Sequence, residues 1–315
     1  MPCKLPSRIT FAIALFAIRG FFAVGSIGFA DERPTDEEGL VMRSELRYRD
    51  VSKACTLDLA MPKDRAGGRR PAIVVIHGGG WLEGDKSSFT SAKHKTPGNI
   101  VWFAKRGFVA LTINYRMSGE APFPAALDDC RCAIRWLRAH ADEYHVDVDK
   151  VGAYGNSAGG HLALLLALMP PETPASGEPY ADQSSRVQAA ASDSGPIDLD
   201  YDRKQGALKV VIEKFMGGPP EGDRAAVYRR ASPSTYATEK TPPLLLIYGE
   251  VDAQVSVHSS DDFVAELGRA GNRDISYIRL AAVDHCPHSL VRIPYLQTVV
   301  EDFFVRTLKP PALAR

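Results

Sequence analysis

The chain has 315 residues, of which 45% are hydrophobic and 24% are charged, with 38 basic and 38 acidic side chains. This composition is typical of a globular protein with a large core, and the length suits a single α/β domain. The balanced charge argues against nucleic acid or another polyanion as a partner. The five cysteines have neither the density of a disulfide scaffold nor the spacing of a zinc site.

The first 30 residues differ from the rest of the chain. Lys4 and Arg8 precede an apolar run over residues 9–18, and small residues follow before the sequence becomes polar. This pattern predicts a cleaved secretory signal over residues 1–30 and therefore an exported protein, periplasmic or secreted, with no stable membrane insertion after cleavage. Arg19 interrupts the apolar region, so an uncleaved membrane anchor and a disordered N-terminus are the alternatives.

Downstream, short apolar runs alternate with segments of helical periodicity. The predicted strands cover residues 56–60, 72–76, 108–113, 151–154, 188–191, 244–248 and 275–280. The predicted helices cover residues 98–106, 125–144, 157–168, 208–215, 256–269 and 294–306. This alternation predicts an α/β fold over residues 31–315, with a mostly parallel central sheet and helices on both faces.

Two stretches interrupt the alternation, residues 170–185 and 216–234. Both are rich in proline, glycine and charge and poor in apolar periodicity. They are interpreted either as surface loops or, with bounds of 170–187 and 200–234, as a small cap. A cap is plausible because parallel α/β sheets bind ligands at the carboxyl ends of their strands, where such excursions emerge.

A run of three glycines follows the predicted strand 72–76, in the sequence His77-Gly78-Gly79-Gly80-Trp81. Without Cβ atoms, glycines let backbone N–H groups approach a developing negative charge, so the run is interpreted as an oxyanion-hole loop. A flexible turn is the alternative. His77 is predicted to hold the loop in shape, with Gly80 in support, and Trp81 is predicted to line the substrate pocket.

A second motif, Gly155-Asn156-Ser157-Ala158-Gly159, lies between the predicted strand 151–154 and a predicted helix. A serine on a sharp strand-to-helix turn is the arrangement of a nucleophile elbow, in which small neighbours avoid a crowded backbone. The following helix N-terminus directs N–H groups at the reacting oxygen. Ser157 is therefore the predicted nucleophile.

Such a serine needs a base and an orienting carboxylate, expected downstream in the order serine, acid, histidine. Asp252 follows the predicted strand 244–248 and is preferred to Glu250, which lies closer to that strand. His285 follows the last predicted strand and is the preferred base. His288 is the alternative, because it comes three residues later on the same loop.

The sequence contains no pattern that indicates a metal or a cofactor. Zinc-binding histidine motifs and glycine-rich nucleotide loops are both missing, so neither a metal nor a cofactor is predicted. In an exported protein, two of the cysteines outside the signal could pair. Those cysteines are Cys55, Cys130, Cys132 and Cys286.

Three further segments, together with the two motifs, resemble one known family. They are Asn114-Tyr115-Arg116, Phe123-Pro124-Ala125-Ala126-Leu127-Asp128-Asp129 and Ser157-Ala158-Gly159-Gly160-His161. Over residues 43–309 the chain resembles the α/β-hydrolase fold, in its hormone-sensitive-lipase-like and bacterial feruloyl/acetyl-esterase-like branch. The family often has glycine where this chain has Asp284, before the predicted base.

The resemblance implies a role for each matching residue. It implies Ser157 as nucleophile, Asp252 as acid and His285 as base. It also implies that the oxyanion is held by backbone N–H groups, those of Gly78, Gly79 and Ala158.

The predicted function is a serine carboxylesterase that acts through an acyl-enzyme on short-acyl esters of small molecules or of acetylated or feruloylated carbohydrates. An amidase, a formamidase or an exopeptidase with the same triad is the first alternative. A catalytically inactive hydrolase fold used for binding is the second, although no triad residue is missing. The oligomeric state is left open.

Overall fold

The described part of the chain contains, in a computed structural model, one sheet of eight strands. The structure describes residues 39–65, 67–90, 98–170, 172–205, 207–286, 293 and 295–309. All of them belong to one compact unit, Glu32–Arg315. The predicted signal, residues 1–30, lies outside the described residues. The strands are β1 (Leu40–Arg47), β2 (Thr56–Pro62), β3 (Arg70–Ile76), β4 (Val109–Ile113), β5 (Val146–Asn156), β6 (Ala189–Asp193), β7 (Leu244–Gly249) and β8 (Ile275–Leu280).

The strand order is β1-β2-β4-β3-β5-β6-β7-β8. β2 runs antiparallel to both β1 and β4, and every pairing from β4 across to β8 is parallel. The prediction of a mostly parallel sheet is therefore confirmed. β5 lies between β3 and β6, which places its carboxyl end in the middle of the edge where parallel α/β sheets bind ligands.

Helices cover both faces of the sheet, as predicted. Their bounds are α1 (Ile100–Lys105), α2 (Ala125–Ala139), α3 (Ala141–Tyr144), α4 (Ala158–Leu168), α5 (Leu199–Gln205), α6 (Lys209–Phe215), α7 (Arg224–Arg230), α8 (Val257–Arg269) and α9 (Tyr295–Leu308). Apolar residues of α2, α4 and α8 share one core layer, and those of α1 and α9 share the other. β3, β4 and β6 are buried along their whole length, because they are covered on both sides.

Three elements were not predicted from the sequence, namely β1, α5 and α7. β1 lies at an edge of the sheet and its second half is largely exposed, so its apolar pattern is weak. α5 and α7 have seven residues each, which is too short to establish a helical period. The helix predicted over residues 125–144 is divided at His140 into α2 and α3.

The first excursion, residues 170–187, packs along α2. Arg138 donates three hydrogen bonds of 2.6 to 3.1 Å to backbone carbonyls, those of Val148, Ser184 and Arg186. Arg135 pairs with Glu178 at 3.7 Å and Arg131 with Glu172 at 3.2 Å. The three arginines are all at least nine-tenths buried, which shows that this segment covers one face of α2.

The second excursion, residues 199–236, contains α5, α6, α7 and a 3-10 helix over Pro233–Tyr236. It is anchored to the body of the fold through Asp202, which accepts a hydrogen bond of 3.0 Å from Ser259 of α8. Its α6 lies against the glycine loop, where a Cβ placed on Gly80 would be 2.8 Å from Val211 Cγ1. Among the described residues, this excursion is the one that reaches the predicted oxyanion loop.

Within the described ranges, no helix combines the length and apolar character needed to cross a bilayer.

Candidate active site

Ser157 occupies the turn between β5 and α4. Its backbone has φ 51° and ψ −122°, a conformation that costs a non-glycine residue about 1–3 kcal/mol and that clusters at functional sites. Its N–H donates to Asp193 O at 2.7 Å. A Cβ on Gly159 would lie 2.0 Å from Ile76 O, so only glycine allows α4 to start this close to β3. The turn therefore has the strained, crowded geometry that the motif predicted.

Three predicted residues are joined in a continuous line of hydrogen bonds. His285 Nε2 lies 3.0 Å from Ser157 Oγ, and His285 Nδ1 lies 2.7 Å from Asp252 Oδ2. The Asp252 side chain is fully buried, whereas that of His285 is 12% exposed. Serine, imidazole and carboxylate thus have the order and spacing of a hydrolytic triad. His288, the alternative base, lies outside the described residues.

The Asp252 carboxylate is held by its own loop. Its Oδ1 accepts the N–H groups of Gln254 at 2.8 Å and Val255 at 2.9 Å, which leaves Oδ2 for His285. Glu250, the less favoured acid, forms an ion pair with Arg279 at 3.1 Å. Of the two candidate acids, Asp252 therefore contacts His285, whereas Glu250 contacts Arg279.

Asp284, at the position where the chain departs from the family pattern, joins the acid and base loops. Its Oδ1 accepts the backbone N–H groups of His285 at 2.7 Å and Ala253 at 3.1 Å. These two hydrogen bonds lower the pKa of Asp284. The carboxylate thus performs a local bridging task that glycine could not.

The glycine loop approaches Ser157 but differs in one respect from the prediction. The Gly78 N–H donates to Asn156 Oδ1 at 3.0 Å, so it is not free to bind an oxyanion. The N–H groups of Gly79, Gly80 and Ala158 donate no hydrogen bond within the described part of the chain. Among the described residues, the predicted donor Gly78 thus already has a side-chain partner, whereas the N–H of Gly80, which was not predicted as a donor, has none.

His77 contacts the loop from behind. Its Nδ1 donates to Gly78 O at 2.8 Å, and its ring stacks on Tyr115 with centroids 4.5 Å apart. The Tyr115 hydroxyl in turn donates to His77 O at 2.9 Å. Burial lowers the pKa of His77, which favours the neutral ring. His77 lies where a residue that shapes the loop would be expected.

Trp81 does not line a pocket, contrary to the prediction. Its side chain is 1% exposed and stacks on Phe215 of α6, with centroids 4.2 Å apart. His161 meets it edge-on at 5.1 Å. The prediction was wrong because it could not foresee that α6 covers this side of the loop. Trp81 instead packs the loop against α6.

Asn156 and two residues of α6 belong to the site but were not singled out from the sequence. Asn156 lies inside the serine motif, so its position was visible although its contact with Gly78 was not. Phe215 and Val211 gave no local signal, because their role depends on where α6 packs.

The described residues were also searched for metal-binding groups and disulfides. Among the described residues, no group of three or more His, Cys, Asp or Glu side chains could hold a metal ion. The four described cysteines are buried and form no disulfide. They are Cys55, Cys130, Cys132 and Cys286.

Comparisons with known proteins agree with this arrangement. The BD-FAE family model matches residues 57–267. The probable carboxylic ester hydrolase LipM and the esterase LipQ of Mycobacterium tuberculosis are each 29% identical to this chain over 82% of its length. The chain spans about 60% of the length of these two relatives.

Solved structures share the fold. The native structure of Est2, an esterase of the planctomycete Thermogutta terrifontis, has a TM-score of 0.68 and 26% identity, covering 89% of this chain and 97% of that one. A truncated carbohydrate esterase from gut microbiota has a TM-score of 0.72 at 23% identity, covering 88% of this chain and all of that one, which supports the fold alone. The chain thus has the α/β-hydrolase fold and belongs to the BD-FAE family.

Proposed function

We propose that this protein is a serine carboxylesterase that hydrolyses short-acyl esters through an acyl-enzyme. The observation that carries the proposal is the hydrogen-bonded line from Asp252 through His285 to Ser157. It ends on a strained turn, near backbone N–H groups that have no partner among the described residues. The names of the mycobacterial relatives and of the T. terrifontis esterase support ester hydrolysis.

The first half of the reaction acylates the serine. His285 Nε2 accepts the Ser157 proton while Ser157 Oγ attacks the ester carbonyl carbon, and Asp252 stabilises the imidazolium that forms. The carbonyl oxygen becomes an oxyanion that accepts hydrogen bonds from backbone donors, which we assign to Gly79, Gly80 and Ala158. The intermediate then collapses, and the leaving alcohol takes the proton from His285.

The second half releases the acyl group. Water attacks the acyl carbonyl carbon and gives a proton to His285, and the same donors hold the second oxyanion. Collapse breaks the bond to Ser157 Oγ, which recovers its proton from His285 as the carboxylic acid leaves. No step needs a metal or a cofactor.

Short acyl groups fit the position of α6. Val211 lies close to Gly80, so α6 restricts the space beside the proposed oxyanion donors. The T. terrifontis esterase, at 25 to 26% identity, has been solved with butyrate and with propionate bound. We propose that the alcohol part of the ester is a small molecule or a sugar. A sugar is included because a bifunctional GH43-CE protein of Bacteroides eggerthii is 27% identical over 84% of this chain.

We also propose that the protein is exported, on the basis of the basic and apolar composition of residues 1–30. Fractionation of cells that express the full chain, with N-terminal sequencing of the product, tests this. Recovery of uncleaved chain from the cytoplasm would contradict it.

The decisive test of the function is the loss of one hydroxyl. Ser157→Ala should lower kcat for p-nitrophenyl acetate by at least about 10³-fold, because triad residues act as a unit. Ser176→Ala, on an exposed loop, is the matched control and should stay within twofold of wild type. The assignment would be wrong if Ser157→Ala kept more than a few per cent of activity, or if anilides were cleaved faster than the matching esters.

A further inference from the structure

The side chain of Asn156, the residue before Ser157, turns back towards the glycine loop. Its Oδ1 accepts the Gly78 N–H at 3.0 Å. A Cβ on Gly78 would lie 2.8 Å from Asn156 O and 2.9 Å from Asn156 Nδ2, so loop and elbow are in direct contact here. One asparagine of the nucleophile turn therefore contacts the glycine loop directly.

This contact determines which N–H groups of the glycine loop are available. The Gly78 N–H is bonded to Asn156, whereas the next two donors along the chain, on Gly79 and Gly80, have no partner within the described residues. Gly78 is also the glycine whose added Cβ would come within 3.1 Å of Ser157 Cβ. A fixed Gly78 thus fixes the distance between the serine and the donors that follow.

We propose that Asn156 is a positioning residue for the oxyanion loop. By accepting the Gly78 N–H, it holds the loop so that the N–H groups of Gly79 and Gly80 face the carbonyl oxygen of the substrate. This inference rests on the proposed function and adds to it a residue that does not touch the substrate. An amide accepts the hydrogen bond without placing a negative charge beside the developing oxyanion, which a carboxylate would do.

Two substitutions of similar shape separate the hydrogen bond from the packing. Asn156→Leu removes the acceptor and should lower kcat about 30- to 300-fold with KM changed less than threefold, because misplaced donors weaken binding of the transition state more than binding of the ester. Asn156→Asp keeps an acceptor oxygen and should stay within about tenfold of wild type. Asn99→Leu is the matched control, since Asn99 is also buried and its Oδ1 accepts the Val101 N–H at 3.0 Å.

The readout must exclude a loss of folded protein. Rates are therefore expressed per active site, counted by titration with an organophosphate. The inhibition constant of a trifluoromethyl ketone, which forms an oxyanion on the serine, should rise for Asn156→Leu by about the same factor as kcat/KM falls. Asn99→Leu should lower the urea midpoint and leave both the rate per active site and the inhibition constant within twofold of wild type.

A second variant approaches the same contact from the loop side. Gly78→Ala places a Cβ against Asn156 and should also lower the rate per active site at least tenfold. If both variants act by separating the loop from Asn156, the double variant should lose much less activity than the product of the two single losses.

The inference would be overturned if Asn156→Leu kept a rate per site within threefold of wild type, or if it lost rate while the inhibition constant of the trifluoromethyl ketone stayed unchanged. It would equally be overturned if Asn156→Leu were faster than wild type, since Gly78 itself would then be the oxyanion donor that Asn156 withholds. If the wild type preferred amides to esters, the proposed function would be wrong. The role of Asn156 could still be decided, because the rates of the variants relative to wild type can be measured on an amide.

Discussion

Residues 170–187 and 199–236 both leave the sheet, and each includes a stretch rich in proline, glycine and charge, but they contact different parts of the molecule. The first is held on α2 by charged groups, above all by the two hydrogen bonds that Arg138 donates to the carbonyls of Ser184 and Arg186. The second places aromatic and aliphatic side chains of α6 on Trp81 and the glycine loop. Composition thus marks an excursion, whereas the surface that the excursion covers decides whether it affects the chemistry.

The contact with α2 depends on a buried cation. Burial lowers the pKa of Arg138 to about 10, so the side chain is still charged at neutral pH and satisfies three carbonyls at once. The contact with the glycine loop depends on shape, because the rings of Trp81 and Phe215 stack and Val211 fills the space beside Gly80. We therefore expect substitutions where α2 contacts the first excursion to change stability, and substitutions where α6 contacts the glycine loop to change activity.

The largest effect on stability is expected at Arg138. Arg138→Met leaves three carbonyls without their donor and should lower the free energy of unfolding by about 3–5 kcal/mol. The rate per titrated active site should stay within twofold of wild type. Urea denaturation measures the first quantity, and Arg186→Met, on an exposed side chain, is the control with an expected change below about 0.5 kcal/mol. A tenfold loss of rate per site would remove the distinction between the two excursions.

The stability contributed by Asp202, which anchors the second excursion, should depend on pH. Burial raises the pKa of this carboxyl to about 7, and Asp198 is a nearby negative charge that contributes in the same direction. A raised folded-state pKa means that the native protein binds the proton more tightly than the unfolded chain does. The stabilisation is complete below about pH 4, the pKa range of an unfolded aspartate, and is lost as pH rises through 7.

Asp202→Asn should abolish this dependence. Between pH 5 and 7 the wild type is expected to lose about 2 kcal/mol relative to the variant, at a slope of up to about 1.4 kcal/mol per pH unit. The asparagine can still accept the Ile197 N–H and donate to Ser259 Oγ, so folding should be kept. Urea midpoints measured across this range test the sign, and parallel curves for the two proteins would show that Asp202 does not titrate there.

Phe215 tests whether α6 matters to the loop beneath it. Phe215→Leu removes the stacked ring and should lower kcat/KM for p-nitrophenyl acetate about 10-fold, because Trp81 and the adjoining glycines lose one side of their packing. Stability should fall by only about 1–2 kcal/mol. An unchanged rate per site would mean that α6 covers the loop without helping to position it.

The smallest effect is expected on acyl selectivity. Val211→Ala should raise the ratio of hexanoate to acetate hydrolysis about 3- to 5-fold, because each CH₂ that gains buried space contributes about 0.8 kcal/mol. Val210 is the neighbouring control, since its side chain is 74% exposed, and Val210→Ala should leave the ratio unchanged. Equal shifts in both variants would show that Val211 does not bound the acyl site.

Local sequence was sufficient where a residue's neighbours along the chain determine its role. The positions of Ser157, Asp252 and His285 follow from strand ends, and parallel strands bring such ends to one edge. Trp81 was misjudged because its environment comes from α6, more than 100 residues further along the chain. The same holds for Gly78, whose N–H is occupied by a side chain that the glycine motif alone does not contain.

The burial of the α2 arginines could not be predicted from the hydrophobic periodicity either. The helical spacing of the apolar residues in α2 places Arg131, Arg135 and Arg138 away from those residues, and the packing of residues 170–187 buries them. What could not be predicted was thus the docking of both excursions, because it depends on contacts between segments that carry no matching local signal.

Covalent labelling can identify the nucleophile itself. A neutral organophosphonate should attach once per chain, and peptide mass spectrometry should place it on Ser157, as expected if His285 and Asp252 activate that hydroxyl. The T. terrifontis esterase, which has also been solved phosphonylated by cyclosarin, is a positive control for the reagent. We predict one adduct per chain, on Ser157, and a loss of esterase activity proportional to the fraction of chains labelled. An adduct on another residue, or loss of activity without an adduct on Ser157, would contradict the account.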